Sequence, residues 1–596
     1  MCGIVGYIGQ KNAKQIILDG LKRLEYRGYD SSGISLLDSN NKLFTFKKEG
    51  KLEALLEELK GTNFESCSGV GHTRWATHGE VNSNNAHPHA IENFSLVHNG
   101  IIENSETIKS SLKEYSFISD TDSEVFLALF SYNLKNLKDI RSAFIQTFKK
   151  VEGHSAFVLL SAKTNEIFAI RKGAPLVCGI GKGNYYVSSD PYGLVGEVDE
   201  IVFPEDEVIC HLSSTAINFL DLSGKLSNGL KRQKQKKIES VVSKGNFEHY
   251  MLKEIFEQPK LINSLYSYYL TAGLKDLEKL SDAKFNRIFL SACGTASYAA
   301  LLIRDYFENY NNIFSVMELA SEFRYRKLMI TNDDLALFIS QSGETADTLA
   351  AQELCLKNNI ETWSIVNTEG SSVYRNAKNN FPIKAGIEIG VASTKAFSLQ
   401  AVTGFVVSRL LGKKDTKTTL ENLKVVINNL SLSISNILER SDEIRQIAES
   451  LFQKKGYFFT GRGIYYPIAL EGALKIKEIA YVHAEAYAAG ELKHGPIALI
   501  DDDMVNIAFI GEELKEKTIS NIKEIKTRKG IILTVGDFKE HETVSDYHFQ
   551  VSLDGLDELK PVALNIFNQL FAYHVANLKG TDIDQPRNLA KSVTVE

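Results

Sequence analysis

Two stretches of this sequence repeat one grammar: a buried-type strand, a turn containing glycine, then a helix. The first runs through "RIFLSACG" and turns at Gly294; the second runs through "YFFTGRG", turns near Gly461, and continues into "PIALEGALKIKEIAY". Further apolar strands, among them "IFSVMEL", "LALFISQSGET", "TWSIVNT", "VNIAFIG" and "KGIILTVG", alternate with amphipathic helices such as "TADTLAAQELCLKNN". Alternation of this kind predicts parallel, doubly wound sheets, and its restart predicts two similar α/β domains, over 246–430 and 431–596. Before about Leu230 the texture is different. Short β-branched runs ("KLFTFKK", "FSLVHNG", "SAFVLLSA", "EIFAIRK") surround two helical patterns, "QIILDGLKRLEY" and "SEVFLALFSYNL", which predicts a sheet-rich α+β domain over 1–230. The polar, basic stretch between the halves reads as a linker over 231–245, a solvated tether rather than a nucleic-acid surface.

Composition narrows the function classes. The 596 residues carry a net charge of −6, which argues against a dedicated nucleic-acid surface. Six cysteines stand far apart with no C-x-x-C pair, a pattern that suits reduced thiols in a cytosol. The N-terminus lacks the build of a signal peptide, and no apolar run nears the roughly 20 residues of a membrane span. A cytoplasmic protein is expected.

The opening "MCGIVGYIG" places a cysteine second. Removal of Met1 would leave the Cys2 thiol and a free α-amine on one residue, a nucleophile carrying its own base. The alternative is a small buried cysteine in a first strand. Three polar or Gly-rich segments at strand ends, "YRGYDSSG", "GHTRWATHGE" and "LVHNGIIEN", supply partners for the first reading. Arg74 offers a planar fork for a carboxylate, Asp122 can hold an ammonium, and Asn99 with the Gly100 backbone can form an oxyanion hole. Together they suit an amino-acid pocket beside a thiolate. His72, His78, His87, His89 and His98 crowd the same region, but few carboxylates and no paired cysteines lie near, so no metal site is expected.

In the second half "ISQSGETADTL" leads from an apolar strand into Ser340, Gln341, Ser342 and Thr345 and then a helix. Hydroxyls and free N–H groups converging at a helix N-terminus suit a phosphate, although a serine there is also an ordinary cap. "SACGTAS" repeats the arrangement with Thr295, and "IGVASTKAFS" adds Ser393. In "EGALKIKEIAYVHAEAYAAGELKHGP", Glu471, Lys475 and Glu478 share one helix face. Outward, they form a weak salt-bridge row; inward, an acid–base set able to move a proton between sugar carbons.

The first half resembles the glutaminase domain of class II, N-terminal-nucleophile (Ntn) glutamine amidotransferases, on "CGIVGYIG", "YRGYDSSG", "GHTRWATHG" and "HNGIIEN". That resemblance implies a four-layer αββα domain with Cys2 as nucleophile. It also implies Arg74 and Asp122 on the ends of glutamine, Asn99 and Gly100 as the oxyanion hole, and Trp75 and His78 in a closing loop. The second half is similar to the sugar-isomerase (SIS) half of the glutamine–fructose-6-phosphate aminotransferase family, on "CGT", "SQSGET", "GVASTKAF", "GELKHGP" and the tail "DQPRNLAKSVTVE". The resemblance covers essentially the whole chain. It implies synthesis of glucosamine 6-phosphate from fructose 6-phosphate and glutamine, the first step of hexosamine synthesis, without a cofactor. By the same route Thr295, Ser340, Gln341, Ser342 and Thr345 would bind the sugar phosphate, with Val391, Ala392 and Ser393 beside the sugar. Lys591 would form an imine, Glu478 would shuttle a proton with Lys475 beside it, and His494 would open the ring from the partner subunit of a homodimer. One departure is visible: Ala296 stands where the family has serine, with Ser297 one place later. The chain lacks the insertion of animal enzymes and looks like the bacterial type, without feedback by a nucleotide sugar. A related SIS amidotransferase or deglycase acting on another sugar phosphate, and a regulatory sugar-phosphate-binding protein, are the alternatives.

Overall fold

The computed structural model describes residues 2–62, 64–196, 198–227, 229–234, 243–327, 329–538 and 541–594. Of the expected linker, 235–242 falls outside the described residues. The chain forms two compact units, Met1–Val242 together with Ser592–Glu596, and Ser243–Lys591.

In the first unit the strand Gly3–Gly9 shows how the layers arise. Alternate residues of a strand point to opposite faces. Ile4 and Ile8 pack with Val97, Val158 and Leu160 between two sheets, whereas Val5 and Tyr7 face the helix Ala13–Leu24. Gly3–Gly9 pairs antiparallel with Ser68–Arg74 and Asn184–Ser188 inside an eight-stranded sheet. Against it lies a six-stranded antiparallel sheet in which Phe94–Gly100 pairs with Ser155–Ser161. The helices Asp122–Leu137 and Ile140–Phe148 cover its far face, where Phe126 stacks on Phe157 with centroids 3.9 Å apart. The order helix, sheet, sheet, helix is the expected αββα arrangement. Two details differ from the sequence reading. Arg232–Lys234, read as linker, is an edge strand beside Glu200–Val202, where Lys234 sits opposite Glu200 and their charges favour pairing. Short helices at Leu52–Glu58, Ser105–Ser111 and Ile140–Phe148 join the two expected ones, each too brief to show a clear period.

The second unit contains the repeat. Each of its two sheets has five parallel strands in the spatial order second, first, third, fourth, fifth. In one, Arg287–Ala292 lies between Phe314–Leu319 and Leu335–Ser340; in the other, Gly456–Gly461 lies between Ala484–Ala488 and Met504–Ile510. A single apolar core serves both sheets, threaded by the buried helices Lys395–Leu410 and Lys560–Lys579. In such sheets ligands bind beyond the carboxyl ends of the strands on either side of the order reversal. In the first sheet those ends are Ala292 and Ser340. No described helix is long and apolar enough to cross a membrane.

Candidate active sites

The start of Gly3–Gly9, the end of Ser68–Arg74 and the end of Phe94–Gly100 bring Cys2, Arg74, Asn99 and Gly100 around one cavity. Trp75, His78 and Asp122 line it as well, so the first unit gathers every residue the sequence reading assigned to glutamine. The thiol is held by the turn after Arg74. The Trp75 N–H donates to Cys2 Sγ at 3.2 Å, and Sγ lies 3.5 Å from the Trp75 carbonyl. Burial pushes the Cys2 thiol up, while the Trp75 N–H and Arg74 pull it back toward ionisation. Asn99 Nδ2 donates to the Cys2 carbonyl at 2.9 Å. Gly100 has φ +137° and a Cβ there would lie 2.1 Å from the His154 carbonyl oxygen, so the backbone can take this shape only as glycine. Arg74 donates to the His78 carbonyl, and Asp122 accepts from the Ile102 N–H at 2.7 Å. Each thereby anchors the wall it belongs to. Thr594, absent from the sequence reading, also lines the cavity and is buried. His87 and His98 line the cavity too, His72 and His89 are buried without lining it, and among the described residues no group of His, Cys, Asp and Glu could hold a metal ion.

In the second unit Leu335–Ser340 ends in a turn that organises its own hydroxyls. The Gly343 N–H donates to Ser340 Oγ at 2.9 Å, and the Glu344 N–H to Ser342 Oγ at 3.1 Å. Both hydroxyls accept from the backbone, leaving their O–H free to donate outward. Thr345, at the N-cap of Ala346–Lys357, makes no capping bond of its own, and its Oγ1 lies 3.4 Å from Ser340 Oγ. Gln341 is half-buried beside them. A helix N-terminus, two oriented hydroxyls and a third within reach form an anion cradle. Thr295 is placed differently: its hydroxyl accepts from Lys475 Nζ at 3.0 Å and donates to Glu471 Oε1 at 3.3 Å. Ser297 does not replace the hydroxyl lost at Ala296, because it is buried and donates to the Gly294 carbonyl at 2.6 Å. The Ala296 N–H in the first turn remains available.

The face carrying Glu471, Lys475 and Glu478 points inward. Glu471 and Lys475 are fully buried, Lys475 Nζ lies 2.5 Å from Glu478 Oε2, and 3.4 Å separates it from Glu471. Burial pushes the Glu471 carboxyl up to about 8, against the pull of Lys475. The two acids raise Lys475 in spite of its burial. A second cluster surrounds Lys591. Its Nζ donates to Glu388 Oε2 at 2.5 Å, to the Gly390 carbonyl at 2.8 Å and to Ser393 Oγ at 3.1 Å. Val391 and Ala392 are buried in the same loop. Glu388 was missed from sequence; its signal was one acid inside the apolar run "AGIEIGVAS". His494 is exposed, and no described hydrogen bond or ion pair joins it to Glu478 or Lys591.

The chain matches the SIS domain family over residues 279–406 and 450–577, and the glutamine amidotransferase domain family over 72–195. It is 42% identical, across the whole of both chains, to a glutamine–fructose-6-phosphate aminotransferase (isomerizing) of Bartonella quintana. To the one from Escherichia coli K12 it is 40% identical, again over both full lengths. Among solved structures, the C-terminal domain of glucosamine-fructose-6-phosphate aminotransferase from Francisella tularensis superposes with a TM-score of 0.54 at 40% identity, covering 58% of this chain and all of that one. Over its full length, and with both domain types in the same order, the chain belongs to the glutamine–fructose-6-phosphate aminotransferase (isomerizing) family.

Proposed function

We propose that the protein converts L-glutamine and D-fructose 6-phosphate to L-glutamate and D-glucosamine 6-phosphate, the first step of hexosamine synthesis. The observation that carries this reading is the presence in one chain of a thiol lining one cavity with Asn99 and Gly100 and, in the second unit, of a phosphate-type turn and a buried lysine held by Glu388. Arg74 and Asp122 hold the carboxylate and ammonium of glutamine, with Trp75 and His78 over them. The Cys2 thiolate attacks the side-chain amide, and the Asn99 amide and Gly100 N–H receive the oxyanion. Ammonia leaves, and water hydrolyses the thioester to glutamate.

Ser340, Gln341, Ser342 and Thr345 hold the sugar phosphate, with the Thr295 backbone at the neighbouring helix start. Lys591 attacks the ketone carbon and water leaves as the imine forms. Ammonia adds to that carbon, the Lys591 amine departs, and the ketimine of ammonia remains. Glu478 takes a proton from C1 and returns it to C2 while the C1 hydroxyl proton passes to the nitrogen, giving the amino aldehyde that closes to product; Lys475 fixes its carboxylate. Val391, Ala392 and Ser393 frame the sugar around Lys591. His494 opens the ring from the partner subunit of a homodimer, a reading supported by its exposure and lack of contact with this cluster in its own chain. Six free cysteines fit a cytoplasmic enzyme.

Two variants test the division of labour. Cys2→Ala loses glutamine-dependent synthesis and keeps ammonia-dependent synthesis. Lys591→Ala loses both; undiminished synthesis by Lys591→Ala would remove the imine and with it this mechanism.

A further inference from the structure

Around the glutaminase cavity the sequence "HAIENFSLVHNG" and its neighbours bury imidazoles to which the proposed reaction gives no role. His72 is fully buried on Ser68–Arg74, the strand that ends in Arg74. Its ring lies 4.3 Å from that of His87, which lies 4.8 Å from that of His89. Neither of those neighbours hydrogen-bonds to His72: both His87 nitrogens are buried without a partner, and His89 Nε2 meets Thr121 Oγ1 at 2.9 Å. On this side the His72 ring meets the His87 ring tilted by 55° and without a hydrogen bond between them.

The hydrogen bonds of His72 fix its tautomer. Nε2 lies 3.0 Å from Asn99 Oδ1 and 3.1 Å from the His98 carbonyl oxygen. A carbonyl and an amide oxygen both accept, so Nε2 must carry the hydrogen. Nδ1 faces no partner, as befits the bare nitrogen. Burial keeps the ring neutral, its pKa pushed down to about 3. The Asn99 side chain is thereby read from two sides. Its oxygen is claimed by the His72 N–H, and its NH2 is turned to the Cys2 carbonyl at 2.9 Å. An asparagine amide rotated by half a turn would present oxygen, not NH2, to the developing oxyanion.

We propose that His72 is a positioning residue for glutamine hydrolysis: its Nε2–H locks the Asn99 amide so that the NH2 group faces the oxyanion. The lock matters because oxyanion-hole donors act through preorganisation; a donor that must reorient during the reaction contributes less.

The test uses the full chain and four variants. His72→Leu should lower kcat for glutamine hydrolysis roughly 10²- to 10³-fold, the loss seen when an oxyanion-hole donor is removed, with little change in KM. Asn99→Ala should lose a comparable factor, and the double variant should lose no more than Asn99→Ala alone, because both changes delete one interaction. His72→Gln, which keeps an N–H near the Nε2 position, should stay within about tenfold of the parent. Alkylation of Cys2 by iodoacetamide does not use the oxyanion hole, so its rate should be unchanged in His72→Leu and His72→Gln, as should their ammonia-dependent synthesis. Multiplicative losses in the double variant, or unchanged kcat in His72→Leu, would overturn the proposal. A rise in KM together with slowed alkylation would also overturn it, by showing general damage to the pocket. Where His72→Leu does not fold, His72→Gln decides: a hundredfold loss with intact alkylation refutes the lock.

Discussion

Glu388→Gln probes the cluster that holds Lys591. Glu388 is 1% exposed and its carboxylate is ringed by donors. Oε1 accepts from the Thr394 N–H at 2.9 Å and the Ala396 N–H at 3.1 Å, and Oε2 from Ser393 Oγ at 3.0 Å and Lys591 Nζ at 2.5 Å. A glutamine can keep its oxygen on the two backbone donors, but its NH2 then faces the Lys591 ammonium and the Ser393 hydroxyl. The lysine side chain is only 1% exposed, so a nearly water-free cation loses its counter-charge. Removing one partner of a buried pair costs about 3–5 kcal/mol. Replacing both, as in Glu388→Gln with Lys591→Met, leaves no unpaired charge and should be milder than Glu388→Gln alone. Trp363 is fully buried in this unit and reports its unfolding by fluorescence in a Trp75→Phe background. With a urea dependence of about 3 kcal/mol per molar, the single variant should unfold about 1 to 1.7 M earlier. Burial raises Glu388, but Lys591 and the backbone donors outweigh it and hold the carboxyl below its ordinary value. Its contribution is therefore present above the unfolded-state pKa and is lost as pH falls through the folded one, so parent and variant should converge in acid. A variant as stable as the parent near neutrality, or a double variant no better than the single, would refute the reasoning.

Three further changes follow from the geometry. Gly100→Ala sets a methyl group 2.1 Å from the His154 carbonyl oxygen, and should abolish glutamine hydrolysis while ammonia-dependent synthesis persists. Ala296→Ser restores a hydroxyl at a helix start and should lower KM for fructose 6-phosphate, roughly tenfold for one bond to a charged phosphate; unchanged KM would mean that the backbone N–H suffices. Glu471, raised to about 8, keeps a proton in the folded state that the unfolded chain gives up near its ordinary value. Stability should therefore fall as pH rises from about 5 to 8, and Glu471→Gln should flatten that slope in thermal melts.

The repeat announced by "SACG" and "FTGRG" appears as two sheets of identical strand order, because strand, glycine turn and helix are local signals. The pocket around Cys2 was likewise readable, since its residues sit at strand ends within a few polar motifs. What escaped was orientation. Periodicity put Glu471, Lys475 and Glu478 on one face, but only packing against the shared core turned that face inward. The Thr295 hydroxyl looked like a phosphate ligand by its motif, yet Lys475 and Glu471, more than 170 residues on, engage it. Glu388 and His72 are buried residues whose partners, Lys591 and Asn99, lie far along the chain. Burial of a polar residue leaves a weak trace in sequence, and its partner leaves none.

The most direct test of the central claim follows one nitrogen atom. The protein is incubated with amide-¹⁵N-glutamine, fructose 6-phosphate and excess unlabelled ammonium, and the hexosamine 6-phosphate is weighed by mass spectrometry. Hexosamine carrying ¹⁵N is the result predicted by the proposed transfer of the nitrogen released at Cys2 to the sugar carbon bound by Lys591. Labelled ammonium in solution with no hexosamine formed would contradict the account, leaving a glutaminase whose acceptor is not this sugar.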